Sequence, residues 1–155
     1  MTSKVFHRKS NVLLPKVVEA RGAWCVDASG KRYLDGGSSG AGLTCLGHGH
    51  PAVIEAVHEQ LHKISFMHGA LFTSDPLEEL AEELIDHAPA GLDRAFFTSG
   101  GSEAIEAALM MARQYAVESG QDSRRTIISR RNSFHGATVM TLAVGDAANR
   151  KRPFV

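Results

Sequence analysis

Residues 96 to 111 read Phe-Phe-Thr-Ser-Gly-Gly-Ser-Glu-Ala-Ile-Glu-Ala-Ala-Leu-Met-Met, an order of residue types suited to holding a phosphate. A short apolar run ends at Phe97, a small-residue turn follows (Thr98 to Ser102), and a strong helix former begins at Glu103. The first N–H groups of a helix have no partner within it, and the helix macrodipole favours an anion beside them. Gly100 and Gly101 let the backbone approach phosphate oxygens without a Cβ in the way, and Ser102 adds a hydroxyl. An ordinary strand-to-helix turn has a similar composition, so the neighbouring motifs decide between the two.

Two other groups of residues could do chemistry. His58-Glu59-Gln60-Leu61-His62 matches the zinc-protease pattern, in which two histidines one turn apart bind metal and the intervening Glu acts as a base. His68 even stands at the spacing of a third ligand, but Ser65 occupies the position where that longer motif has glycine. At about 100° per residue, His58 and His62 fall on the flank of a Val53/Val57/Leu61 stripe. Eight histidines in one short chain also make an accidental pair easy to find. A zinc hydrolase is therefore kept only as an alternative, and no metal site is expected. His48 and His50 form a second pair, for which a loop or capping role is expected. Finally, Ser133-Phe134-His135-Gly136-Ala137-Thr138 sets an aromatic ring beside a His-Gly turn. Such a ring can lie flat on a planar ligand or simply fill core.

These motifs need elements to position them. The first twenty residues are mixed and read as an extended arm. Trp24 to Val26 and Lys31 to Leu34, around Asp27-Ala28-Ser29-Gly30, read as a β-hairpin. Asp35 to Gly42 is a Gly/Ser-rich loop. Pro51 suits the first turn of a helix reaching about Ile64, with Val53, Val57, Leu61 and Ile64 on one face. Asp75 can cap a second helix, with Pro76 at its first position, Glu78 closing a capping box, and a buried stripe of Leu77, Leu80, Ala81, Leu84 and Ile85. Arg94 to Thr98 and Thr126 to Ser129 read as strands on either side of a helix from Glu103 to about Glu118. Alternating strands and helices imply an α/β fold with a largely parallel sheet, and ligands in such folds sit beyond the carboxyl ends of the strands. Gly100 to Ser102 fall there.

With 155 residues, 43% apolar and 22% charged at zero net charge, the chain has the composition of a globular protein able to form one domain with a core. Its charge balance argues against nucleic acid or an anionic membrane surface as partner. No apolar run is long enough to span a bilayer. Cys25 and Cys45 form no framework, which points to a reducing cytoplasm. The final Arg-Lys-Arg-Pro-Phe-Val carries no terminal element, as expected of a fragment.

Four segments occur in order: Tyr33-Leu34-Asp35-Gly36, Leu46-Gly47-His48-Gly49-His50-Pro51, Phe97 to Ala104, and Phe134-His135-Gly136. Together they resemble the class III aminotransferases, which are fold-type-I enzymes dependent on pyridoxal 5'-phosphate. The resemblance covers nearly the whole chain from about Arg21. It implies an N-terminal segment followed by the first, incomplete part of the large mostly parallel-sheet domain, divided as residues 1–60 and 61–155. It implies that Gly100, Gly101 and Ser102 bind the cofactor phosphate, that Phe134 stacks on its ring, and that His135 holds that turn. The family often has Tyr at Phe134 and Asn-Ser-Gly-Ser where this chain has Ser99-Gly100-Gly101-Ser102. The loop Ser38 to Gly42, with Ser39 and Gly40, would line the substrate pocket. Leu71, Phe72 and Thr73 correspond to a segment that approaches the partner's site in family homodimers. The intact enzyme would move an amino group from an amine or amino acid to a 2-oxo acid. The family's Schiff-base lysine and the acid beside the pyridine nitrogen fall downstream of Val155, so the chain by itself holds no catalytic residue and is expected to be inactive. A non-catalytic binding or assembly module of the same fold is the alternative.

Overall fold

Asp27 organises the first local structure. Its carboxylate accepts hydrogen bonds from the Ser29 N–H (2.8 Å) and hydroxyl (2.6 Å), the Lys31 N–H (3.1 Å) and the Tyr33 hydroxyl (2.7 Å). With left-handed Gly30 (φ 84°) the turn closes the hairpin of β2 (Trp24–Asp27) on β3 (Arg32–Leu34). In this computed structural model, which describes residues 3–8, 12–40 and 42–154, a further strand precedes the hairpin. It is β1 (Val17–Arg21), antiparallel to β2 with a register shift between Val17 and Glu19. The sheet order is β1-β2-β3. The end of the expected arm is therefore paired; residues 1, 2 and 9–11 of that arm lie outside the described residues, as does Ala41 of the pocket loop.

The Ser29 and Tyr33 hydroxyls, followed by the backbone N–H groups, hold the Asp27 carboxyl at about 2, below its ordinary 3.8, and the carboxylate in turn raises the Tyr33 phenol. A carboxyl depressed by folding contributes stability that is complete above the unfolded value and lost as pH falls through the folded one. The hairpin is thus expected to weaken between pH 3.8 and about 2. Acid titration followed by the fluorescence of Trp24, the one tryptophan, should show this transition, and Asp27→Asn should remove it. An unchanged transition in Asp27→Asn would mean that another group sets it.

Helix α1 (Pro51–Lys63) starts as expected, with proline in its first turn and His50 at the N-cap, though the His50 side chain makes no cap bond. Helix α2 (Asp75–Asp86) differs in detail. Ser74 rather than Asp75 stands at its N-cap, the Ser74 side chain makes no cap bond, and the helix ends before Pro89 with His87 Nδ1–H donating to the Glu83 carbonyl at 2.9 Å. Helix α3 (Gly101–Glu118) begins two residues earlier than Glu103, on Gly100 as N-cap. Two short helices follow, α4 (Val139–Val144) and α5 (Ala148–Lys151). The chain divides into two units, Met1–Thr73 and Ser74–Val155.

The expected strands Arg94–Thr98 and Thr126–Ser129 are not strands here. A strand exists through its ladder, a parallel ladder needs a neighbour delivered by a crossover, and no ladder bond reaches either segment among the described residues. The core follows the same pattern. Of the hydrophobic side chains described, Ala116 and Leu142 are buried, while Leu80, Leu84, Val57 and Leu61 each expose about half their surface. The chain exposes 13429 Å², against roughly 9,000 Å² for two separate compact bodies of half its mass. The expected buried stripe of α2 and the single self-contained core are thus not formed among the described residues, where these amphipathic faces stay largely exposed.

Candidate functional site

The second unit carries the phosphate-type turn. Gly100 enters α3 with extended backbone (φ −176°), and its carbonyl receives the Ala104 N–H at 3.0 Å. The N–H groups of Gly101, Ser102 and Glu103 have no acceptor among the described residues, as the geometry of a helix start dictates. A Cβ at Gly101 would meet nothing within 4 Å, whereas one at Gly100 would stand 2.8 Å from Glu103 Oε2, so a carboxylate of the chain itself lies beside this helix start.

Ser102 joins this helix start to the Phe-His-Gly turn. Its Oγ accepts the Ala137 N–H at 3.0 Å, across 35 residues of sequence. A Cβ on Gly136 (φ 142°) would lie 2.8 Å from that oxygen and 2.7 Å from Thr141 Oγ1, so the approach requires glycine. Thr141 is fully buried and forms a reciprocal capping box with Thr138: Thr141 Oγ1 accepts the Thr138 N–H at 3.0 Å, and Thr138 Oγ1 accepts the Thr141 N–H. The turn is further tied by the Asp146 N–H to the Ser133 carbonyl at 3.0 Å. His135 contributes no side-chain bond to it among the described residues. Phe134 is 61% exposed, with the Arg150 guanidinium 4.9 Å from its ring centroid. Gly100, Gly101, Ser102 and the 134–136 turn are therefore brought together. A groove of 430 Å³ in the same unit, lined by Leu109, Ala116, Ile127 and Val144 among others, includes none of them.

Sequence reasoning placed Gly136 in this turn but missed Thr138 and Thr141 as its supports. The Thr-x-x-Thr spacing was the available signal, obscured because capping boxes usually carry Glu or Gln at the second position.

Donors at a helix start and a hydroxyl with a proton still to give are a set that fits a phosphate monoester. An exposed aromatic ring on the adjoining turn fits a planar group attached to it. The sequence profile of the family Aminotransferase class-III matches residues 5–154. The chain belongs to the class III aminotransferases. It is 38% identical over 133 residues to acetylornithine aminotransferase of Neisseria meningitidis, covering 86% of this chain and 32% of that one. Among solved structures it resembles the (S)-enantioselective ω-transaminase of Thermomicrobium roseum (35% identity, TM-score 0.85, 94% of this chain and 32% of that one). It also resembles the ω-transaminase of Pseudomonas jessenii in complex with PMP (29% identity, TM-score 0.85, 91% and 31%). The fold is thus an N-terminal segment of the fold-type-I transaminases, and the chain spans about a third of the length of the curated relatives it matches.

In this class III chain the expected pocket residues Ser39, Gly40 and Phe72 all belong to the first unit. Ser38 and Ser39 both take left-handed backbone (φ 47° and 61°), unusual for side chains other than glycine. Asp35 holds them there. Its carboxylate accepts the Ser39 N–H at 2.7 and 2.9 Å, the Gly37 N–H at 3.3 Å and His48 Nε2–H at 3.0 Å. These bonds, the Ser39 N–H first, hold the Asp35 carboxyl below its ordinary range. His48 is fixed in turn by paired backbone bonds to Gly22 (2.8 and 2.9 Å), where Gly47 packs so closely that a Cβ would stand 3.0 Å from Gly22 Cα. The Asp35-Gly36 and Gly47-His48 motifs therefore meet in one polar cluster that shapes the Ser38–Gly40 turn. Phe72 is exposed and ends a turn in which its N–H and that of Leu71 bond the His68 carbonyl.

Proposed function

We propose that the protein carrying this segment transfers an amino group from an amine or amino acid to a 2-oxo acid, using pyridoxal 5'-phosphate, the cofactor of class III aminotransferases. The observation that carries the reading is the Ser102–Ala137 bond, which couples an anion-ready helix start to an exposed aromatic ring within one unit. When bound, pyridoxal 5'-phosphate supplies the carbonyl that takes up the amino group and the ring that accepts the electron pair released at the donor carbon.

This chain's residues bind and orient. The N–H groups of Gly101, Ser102 and Glu103 would hold the phosphate through charge-assisted bonds. Ser102 Oγ, already accepting from Ala137, would donate its own proton to a phosphate oxygen. Phe134 would pack one face of its ring on the pyridine, with Arg150 against the ring as well. The Ser38–Gly40 turn, clamped by Asp35, would line the donor pocket with small residues.

The 155-residue chain alone would bind without turnover. Its lysines (4, 9, 16, 31, 63 and 151) match no catalytic position of the family, and Lys151 donates to the Gly145 carbonyl at 3.1 Å. We further expect a homodimer, since Phe72 and its neighbours are exposed apolar surface of the kind an interface covers. Cytoplasmic residence agrees with two unbonded cysteines. No helix among the described residues is long and apolar enough to cross a membrane.

The test is amino transfer by the protein at the length of its relatives. Product amino acid should form from a 2-oxo acid only when an amine or amino-acid donor is present. A cofactor-loaded protein that transfers from no donor across both classes would contradict the reading.

A further inference from the structure

His58 and His62 belong to no part of the amino-transfer site described above. They stand one turn apart on α1 and converge, with Nε2 to Nε2 at 3.0 Å and ring centroids 4.7 Å apart at 64°. In this pair one ring donates its Nε2–H to the Nε2 lone pair of the other. The Glu55 carboxylate lies 3.9 Å from His58 Nδ1, and both of those side chains are about two-thirds exposed. At that distance the carboxylate makes no hydrogen bond to the ring.

We infer that His58 and His62 form a surface chelate for a late first-row divalent cation. Two nitrogens 3.0 Å apart, each about 2.1 Å from a shared ion, subtend an angle of roughly 90–95° there. That is the right angle of Ni²⁺ or Cu²⁺ coordination, not the wider tetrahedral angle of structural zinc. The cation displaces the hydrogen now shared between the rings and sits to one side of the line between the two nitrogens, so both rings turn toward it; the ring that donated that hydrogen carries its proton on Nδ1 instead. Among the described residues no group of three His, Cys, Asp or Glu side chains comes together to hold a metal. Water therefore fills the remaining positions, and the ion exchanges freely. His68, at the spacing of a third ligand in sequence, does not join the pair. The site is consequently one of metal capture on an exposed helix, separate from hydrolysis and from amino transfer.

Calorimetric titration of the purified, tag-free chain with NiCl₂ and with ZnCl₂ tests this. One equivalent of Ni²⁺ should bind, more tightly than Zn²⁺. Either His58→Ala or His62→Ala should weaken Ni²⁺ by about tenfold or more, since even indirect supports of metal ligands are worth that much. His87→Ala, on another helix, should leave it unchanged. Both side chains are exposed, so helix content by circular dichroism should be the same in all variants. Equal Ni²⁺ affinity in the wild type and both α1 variants, or Zn²⁺ binding more tightly than Ni²⁺, would overturn the inference.

Discussion

Gly136→Ala should destabilise the second unit and abolish the cofactor binding proposed for it, the largest effect expected of any single methyl group here. The substitution puts a Cβ 2.7 Å from Thr141 Oγ1 and 2.8 Å from Ser102 Oγ, at a backbone φ of 142° that side chains rarely adopt. The backbone conformation alone costs on the order of 1–3 kcal/mol for a residue other than glycine, and forced overpacking adds a similar amount. Neither contact relaxes easily. Thr141 is fully buried inside the α4 capping box, and Ser102 sits in the first turn of α3. Urea unfolding followed by far-UV circular dichroism should show a midpoint well below that of the parent, and pyridoxamine 5'-phosphate should not bind measurably. A variant with the parent's midpoint would mean that the 134–138 turn does not pack on Ser102 as described.

Ser102→Ala separates binding from folding. The hydroxyl both accepts from Ala137 and would donate to phosphate, so alanine removes one hydrogen bond to a charged group, worth about 1.5–3 kcal/mol. Affinity for pyridoxamine 5'-phosphate should fall by about 10- to 150-fold, with a smaller change in stability than Gly136→Ala produces. Ser102→Thr, which retains the hydroxyl, should recover much of the affinity. Equal affinity in Ser102→Ala and the parent would remove this side chain from the phosphate site.

Local chemistry was legible in the sequence where it depends on neighbours along the chain. The Asp/Gly turn of the hairpin, the proline start of α1 and the glycine start of α3 are each decided within a few residues, and each forms close to where its residue types indicate. The two expected strands did not form because pairing is a property of a neighbour, and no neighbour pairs with Arg94–Thr98 or Thr126–Ser129 among the described residues. The apolar stripes of α1 and α2 were correctly periodic, but periodicity states what a helix can bury and not what is present to bury it. The site was half legible. Gly100, Gly101 and Ser102 announce themselves by composition, whereas the support of the aromatic turn by Thr138 and Thr141 depends on a long-range contact through Ser102. Asp35 was visible only as part of a family motif, and its grip on two left-handed serines became apparent with its hydrogen bonds.

The most direct test is a titration of the ¹⁵N-labelled chain with pyridoxamine 5'-phosphate, which has no aldehyde to react with surface lysines, beside pyridoxamine, which has no phosphate. The amide resonances of Gly101, Ser102, Glu103 and Ala137 should shift with the phosphorylated compound and stay in place with the other. Shifts of the same size with both compounds, or shifts confined to residues outside the α3 start and the 134–138 turn, would contradict the assignment of this helix start as the cofactor's phosphate site.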